Sequence, residues 1–114
     1  MPDTILLVDD ERSFRPGIAD GYEVTVARTS AEALKVLRSA STPFVQVWLD
    51  HDLGGEDTAM PVARFLSEHP EVCDGEVIIH SANQVGAANL RSCILGILPV
   101  RSVPVRRFLH VSER

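Results

Sequence analysis

Lysine is almost missing from this chain of 114 residues: Lys35 stands alone. Cysteine is scarce too. Cys73 and Cys93 lie far apart and form no CxxC pair, so they read as reduced thiols of a cytoplasmic protein. No apolar run reaches membrane-spanning length, and no repeat or low-complexity tract occurs. The chain enters an apolar β-rich segment almost at once, so no signal peptide is expected. Positive charge is in deficit, with a formal net charge of −5. That balance argues against bulk nucleic-acid binding, though not against holding one phosphate through a metal. With 45% hydrophobic and 24% charged residues, the composition is that of one globular domain.

Acid placement is the most informative feature present. Ile5-Leu6-Leu7-Val8 runs straight into Asp9-Asp10-Glu11, and Val45-Gln46-Val47-Trp48-Leu49 runs into Asp50-His51-Asp52. Each reads as a buried parallel strand with carboxylates at its carboxyl end. In open α/β sheets, ligands bind outside those ends, where the winding reverses. Two acid-tipped strands therefore predict one acidic pocket. Clustered carboxylates repel each other unless a proton or cation relieves them. A hard divalent cation with oxygen ligands, Mg²⁺ or Mn²⁺, suits Asp9, Asp10 and Asp50, with Asp52 as a further ligand. The competing reading makes these acids solvated loop residues or helix N-caps.

Apolar runs alternate with helical patterns along the chain. Strands are expected at Thr4–Val8, Tyr22–Ala27, Phe44–Leu49 and Glu76–His80, with a fifth at Leu98–Val103 confined to an edge by Pro99 and Pro104. Helices are expected at Ala31–Ser39 with Ser30 as N-cap, at Ala59–Glu68, and at Val85–Leu95 closed by Gly96. This rhythm predicts an α/β fold, a mostly parallel sheet of four or five strands with helices on both faces. Only Arg12 to Gly21 joins the first two strands, so one abbreviated helical turn or an irregular loop is expected there.

These motifs resemble the receiver superfamily, the CheY-like fold of response regulators. Val8-Asp9-Asp10-Glu11 looks like its acidic metal pair, Asp50 its phosphoacceptor, and Ser81 the hydroxyl that ends the fourth strand. The resemblance implies a flavodoxin-like sheet of order 2-1-3-4-5. It also exposes departures. The Lys-Pro pair after the fifth strand is absent, with Val103-Pro104 or Leu98-Pro99 nearest to it. Lys35 falls on a helix, the first helix is curtailed, and the last is short or absent. A closer resemblance is to the branch of cyclic-phosphate-processing receiver-like domains, through Leu49-Asp50-His51-Asp52-Leu53-Gly54, His80-Ser81-Ala82-Asn83 and Val85-Gly86-Ala87-Ala88-Asn89. That branch implies action on cyclic phosphates of nucleotides or nucleic-acid ends, and a monomer or weak dimer is expected.

Opening a cyclic phosphodiester needs an activated water and a protonated leaving oxygen. His51 and His80, flanking Asp50 and Ser81 on neighbouring strands, are expected at one rim to divide those tasks with Asp50. Structural imidazoles are the alternative. Ser81 and Asn83 can bond phosphate oxygens, as can the free N–H groups of a helix that begins near Gly86 and carries Asn89. Asn83 can equally cap that helix, and the small residues can simply permit close packing. Arg101, Arg106, Arg107 and Arg114 form a basic tail, either replacing the absent lysine or making a solvated face. Trp48 reads as core. Two other functions share this architecture: a degenerate receiver phosphorylated on Asp50, and a non-catalytic interaction module.

Overall fold

Residues that must bury both sides of a strand dictate the centre of the molecule. The computed structural model describes residues 2–111. In chain order the elements are β1 (Thr4–Val8), β2 (Arg12–Phe14), β3 (Glu23–Ala27), α1 (Ser30–Ser39), β4 (Phe44–Leu49), α2 (Met60–Glu68), a 3₁₀ turn (Pro70–Val72), β5 (Cys73–Ile79), α3 (Gln84–Ile94), β6 (Val100–Ser102), α4 (Val105–Phe108) and β7 (Leu109–Val111). Five strands form a sheet of order β3-β1-β4-β5-β6, every neighbour parallel. Counting the parallel strands alone, this is the expected 2-1-3-4-5 order. Arg114 of the basic tail lies outside the described residues.

Pleating divides the core in two. Leu6, Val8, Val47, Leu49, Val77 and Ile79 face the side packed by α1, α2 and α3. Ile5, Leu7, Trp48 and Ile78 face the other side, with Phe14, Leu109, Val105 and Phe108 packed against them. Helices were expected on both faces, but the three longer ones share one. The second face carries an antiparallel ribbon, β2 against β7, and the single turn of α4. Chain length is the reason. The segment from Arg12 to Gly21 is too short for a crossover helix, so its first residues pair as β2 and the rest turns through Gly17 and Gly21, both at positive φ. Trp48 is the hub of that face, with Phe14 edge-on at 4.9 Å and Phe108 at 5.6 Å.

Other boundaries shift for local reasons. Thr29, not Ser30, caps α1: its Oγ1 accepts from the Glu32 amide at 3.1 Å, while the Glu32 carboxylate accepts from the Arg28 amide at 2.9 Å. This near-capping-box leaves Ser30 to donate its amide and hydroxyl to Asp57. Strand β5 starts at Cys73, earlier than the apolar run implies. Gly75 allows that start, because a Cβ there would stand 1.9 Å from the Val45 carbonyl oxygen. Edge strand β6 lies where its flanking prolines put it. No helix among the described residues is long and apolar enough to cross a membrane.

Candidate functional site

Asp9, Asp50 and His80 each follow the last residue of a neighbouring parallel strand. Ladder hydrogen bonds hold these ends level: Asp9 N–H to Ala27 O at 3.1 Å, Asp50 N–H to Val8 O at 3.0 Å, His80 N–H to Leu49 O at 3.0 Å. Strand alternation turns all three toward the ribbon side, the side of Leu7, Trp48 and Ile78. All three are buried. Above them lies a cavity of roughly 370 Å³ whose polar lining includes Asp10, Arg12, Asp50, Asp52, Ser81 and Asn83.

The two buried carboxylates have opposite electrostatics. Asp9 Oδ1 accepts from the amides of Glu11 at 2.9 Å and Arg12 at 2.8 Å, and Oδ2 accepts from His80 Nε2 at 3.1 Å. Burial works to raise this carboxyl, but the His80 and amide hydrogen bonds prevail and lower it from 3.8 to about 2. Asp50 has no such amide pair. Burial, then the charge of Asp9, raise it to about 6, against weaker opposing pulls from His80, Arg12 and the Ser81 hydroxyl. Oxygens of Asp9, Asp10 and Asp50 lie within 4.8 Å of one another. Three convergent carboxylates, one of them unrelieved by its surroundings, fit a hard divalent cation with oxygen ligands.

Asp52 stands outside that triad, and its oxygens are occupied. Oδ1 pairs with His51 Nδ1 at 2.9 Å and Oδ2 accepts from Asn83 Nδ2 at 3.2 Å. Asn83 Oδ1 in turn caps α3 by accepting from the Gly86 amide at 2.9 Å. Gly86 closes the ring of contacts: a Cβ there would meet the His51 ring at 2.4 Å. This tie lowers the Asp52 carboxylate, through His51 first and Asn83 second.

The histidines do not share a rim as the sequence led us to expect. His51 packs on the helix side against α3, while His80 is sealed on the ribbon side beside Trp48, ring centroids 5.9 Å apart. Neither lines the cavity. With Asp9 ionised, His80 Nε2 is the donor, and among the described residues its Nδ1 finds no partner. Ser81 and Asn83 do line the cavity; Gly86 and the exposed Asn89 do not. Of the basic tail, Arg101 pairs with Glu76 at 2.7 Å, and Arg106 and Arg107 sit exposed on α4. Lys35 is exposed on α1, away from the cavity lining.

Sequence reasoning missed Arg12. Its guanidinium reaches 3.5 Å from Asp50 Oδ2 and 3.6 Å from Asp9 Oδ2, the position of a counter-ion in a pocket without lysine. Arg28 braces the same loop, donating to the Arg12 carbonyl at 2.6 Å and the Asp9 carbonyl at 3.2 Å. The available signal was an arginine directly after an acidic triplet in a chain with one lysine.

The comparisons with known proteins agree with this geometry. No curated protein matches the sequence significantly. Among solved structures, the chain is similar to a response regulator from Burkholderia pseudomallei, determined with a phosphorylated aspartic acid, a calcium ion and citrate. The TM-score is 0.63 at 20% identity, over 90% of this chain and 60% of that one. It is also similar to a CheY-like receiver domain from Methanospirillum hungatei JF-1, with a TM-score of 0.60 at 19% identity over 92% and 84% of the two chains. A signal receiver domain of a Luxo repressor protein from Vibrio parahaemolyticus gives 0.59 at 15% identity, over 92% and 81%. At such identities the likeness is one of fold. The family described as the cyclic-phosphate processing receiver domain matches residues 4–96, most of the chain, and the protein belongs to that family.

Proposed function

We propose that this domain binds a divalent cation, Mg²⁺ or Mn²⁺, at Asp9, Asp10 and Asp50 and hydrolyses cyclic phosphate esters of nucleotides or nucleic-acid ends. The observation that carries this reading is the convergence of those carboxylates within 4.8 Å beside a polar cavity of roughly 370 Å³. The family description and the calcium held by the Burkholderia receiver support it. A bound cation would neutralise charge on the phosphate oxygens and help polarise the attacking water.

The chain's own groups do the rest. Water adds to phosphorus, one ring P–O bond breaks, and the departing oxygen takes a proton to leave a monoester. Ser81 and Asn83 line the cavity and would orient the phosphate by hydrogen bonds. His80 fixes the Asp9 carboxylate from beneath. His51, with Nδ1 committed to Asp52, keeps Nε2 for a proton and is the proposed acid–base group beside Asp52. Proton transfer by such a group is worth about 10²–10⁴-fold. His51→Ala should lower turnover on that scale and His80→Ala should act through Asp9, weakening cation binding as well. The test is a screen of 2′,3′- and 3′,5′-cyclic nucleotides and cyclic-phosphate RNA ends with Mg²⁺ and Mn²⁺. Turnover abolished by chelation supports the reading; no turnover of any substrate with either metal removes the hydrolase.

One observation favours a second reading, phosphorylation on Asp50: its carboxylate ends β4 at the floor of the cavity, near Ser81. Against it, the partly buried Val103 follows β6, where a receiver carries its lysine. Acetyl phosphate followed by intact-mass measurement separates the two. A stable stoichiometric adduct favours the switch, and its absence the hydrolase.

A further inference from the structure

Arg12 has two possible occupations and can hold only one at a time. It is the one basic side chain among the described residues that lines the cavity. Its Nη1 is shared between Asp50 at 3.5 Å and Asp9 at 3.6 Å, while Nη2 is 3.9 Å from Glu11. Strong guanidinium–carboxylate pairs close to about 2.7–2.9 Å with two parallel bonds. The contacts of Arg12 are longer and spread over three acids, so the group is held loosely. It is also partly open to solvent.

The backbone, by contrast, is fixed. The Arg12 amide donates to Asp9 at 2.8 Å, its carbonyl accepts from Arg28, and its strand pairs with β7 opposite Val111. Only the side chain is free to move. A divalent ion takes carboxylate oxygens at about 2.0–2.6 Å, which would put two positive groups on the same oxygens of Asp9 and Asp50. Repulsion then favours rotation of the guanidinium away from the acids. The space into which a side chain rooted in the cavity wall can swing is the cavity itself, where a phosphate would lie. A planar fork suits phosphate oxygens as well as carboxylates.

We propose that Arg12 is a resident counter-ion that the divalent cation displaces, and that the displaced guanidinium then grips the phosphate. The inference rests on the cation site proposed above. It assigns Arg12 two effects of opposite sign: competition against the metal and attraction of the ligand. The ribbon strand thereby supplies a mobile cation from the opposite side of the sheet to the three long helices.

Calorimetric titrations on the intact chain test this without turnover. For Arg12→Gln, Mg²⁺ should bind about two- to fivefold tighter than to wild type, the scale of a partly exposed ion pair. Inorganic phosphate, titrated at saturating Mg²⁺, should bind that variant about tenfold or more weakly, the scale of a lost charge-assisted hydrogen bond. Arg12→Lys keeps the charge but not the fork, so its Mg²⁺ affinity should stay near wild type and its phosphate affinity fall between the two. In wild type, the Arg12 Nε–H resonance should shift on Mg²⁺ addition and again with phosphate, whereas that of Arg28 stays; this readout needs no variant to fold. Mg²⁺ binding in wild type that Arg12→Gln weakens or leaves unchanged, or an Arg12 resonance that Mg²⁺ does not move, overturns the displacement and leaves the cation site standing. No Mg²⁺ binding to any of the proteins removes the cation site and the displacement with it.

Discussion

The two faces of the sheet are built by different means and do different work. On the helix face, α1, α2 and α3 bury Ala33, Leu37, Val62, Ala63, Leu66, Leu90 and Ile94 against the strands. Its polar feature near the cavity is the His51–Asp52–Asn83–Gly86 tie, whose Asp52 and Asn83 line the cavity. On the ribbon face a short antiparallel pair covers an aromatic cluster around Trp48, and the polar groups of Asp9, Asp50, His80 and Arg12 gather at its upper end. The helix face is mainly scaffold, and it reaches the cavity through Asp52 and Asn83. The ribbon face, where this chain departs most from helices on both sides, holds the buried acids of the candidate cation site.

Removing one large buried side chain from each face should separate the two roles. Trp48→Ala should cost about 3–5 kcal/mol, as large aromatic truncations do, and should also weaken cation binding, since the ring supports both Phe14 of the ribbon and His80. Leu66→Ala on the helix face should cost about 2–5 kcal/mol yet leave Mg²⁺ affinity at the wild-type value in the folded fraction. Urea unfolding with and without Mg²⁺ reads both. Equal loss of Mg²⁺ affinity in the two variants would erase the distinction.

The two buried carboxylates should respond to pH in opposite directions. Asp50 titrates at about 6 in the fold against 3.8 ordinarily, so the folded state holds its proton more tightly. Its effect on stability falls as pH rises from near 4 to near 6 and is flat above, a loss of about 3 kcal/mol without a cation. Asp9, lowered to about 2, does the reverse. Its contribution, about 2 kcal/mol, is present above pH 4 and disappears as pH falls toward 2. At pH 7 without metal, Asp50→Asn should therefore stabilise the protein and Asp9→Asn destabilise it. Urea unfolding of both variants from pH 3 to 8 checks the signs; the same sign for both would contradict these environments.

Smaller effects refine the comparison. Gly86→Ala must push the His51 ring aside, at about 1–3 kcal/mol, and should loosen the Asp52 carboxylate without changing Mg²⁺ affinity. Thermal unfolding and Mg²⁺ titration measure the two parts. Lys35→Ala should change stability by less than about 0.5 kcal/mol and leave cation and phosphate binding untouched. A phosphate-binding loss there would mean that the single lysine reaches the cavity after all.

How much of this was legible in the sequence follows the same division. The acids ending Ile5–Val8 and Val45–Leu49 marked the cavity, because a parallel strand buried on both sides must be apolar until it emerges. The three helices packed on the helix face declared themselves by apolar spacing, although Thr29 and not Ser30 caps the first. The ribbon did not. Strands β2 and β7 have three residues each and pair across nearly the whole chain, so neither has a pattern long enough to read. For that reason Arg12 passed unnoticed, and for that reason His80 looked like a rim residue: its burial depends on the aromatic cover that the ribbon provides. Gly75 hid the start of β5, since a glycine beside an aspartate resembles a turn unless the close approach of Val45 is known.

The most direct test of the cation site on the ribbon face is a calorimetric titration of Mg²⁺ into wild type and Asp50→Asn at pH 7.5. Asp50 contributes one of three converging carboxylates, and its anion is the one least relieved by its surroundings. A single binding event in wild type, weakened about tenfold or more in Asp50→Asn, is the expected result for loss of an anionic ligand. Superimposable isotherms for the two proteins would contradict it.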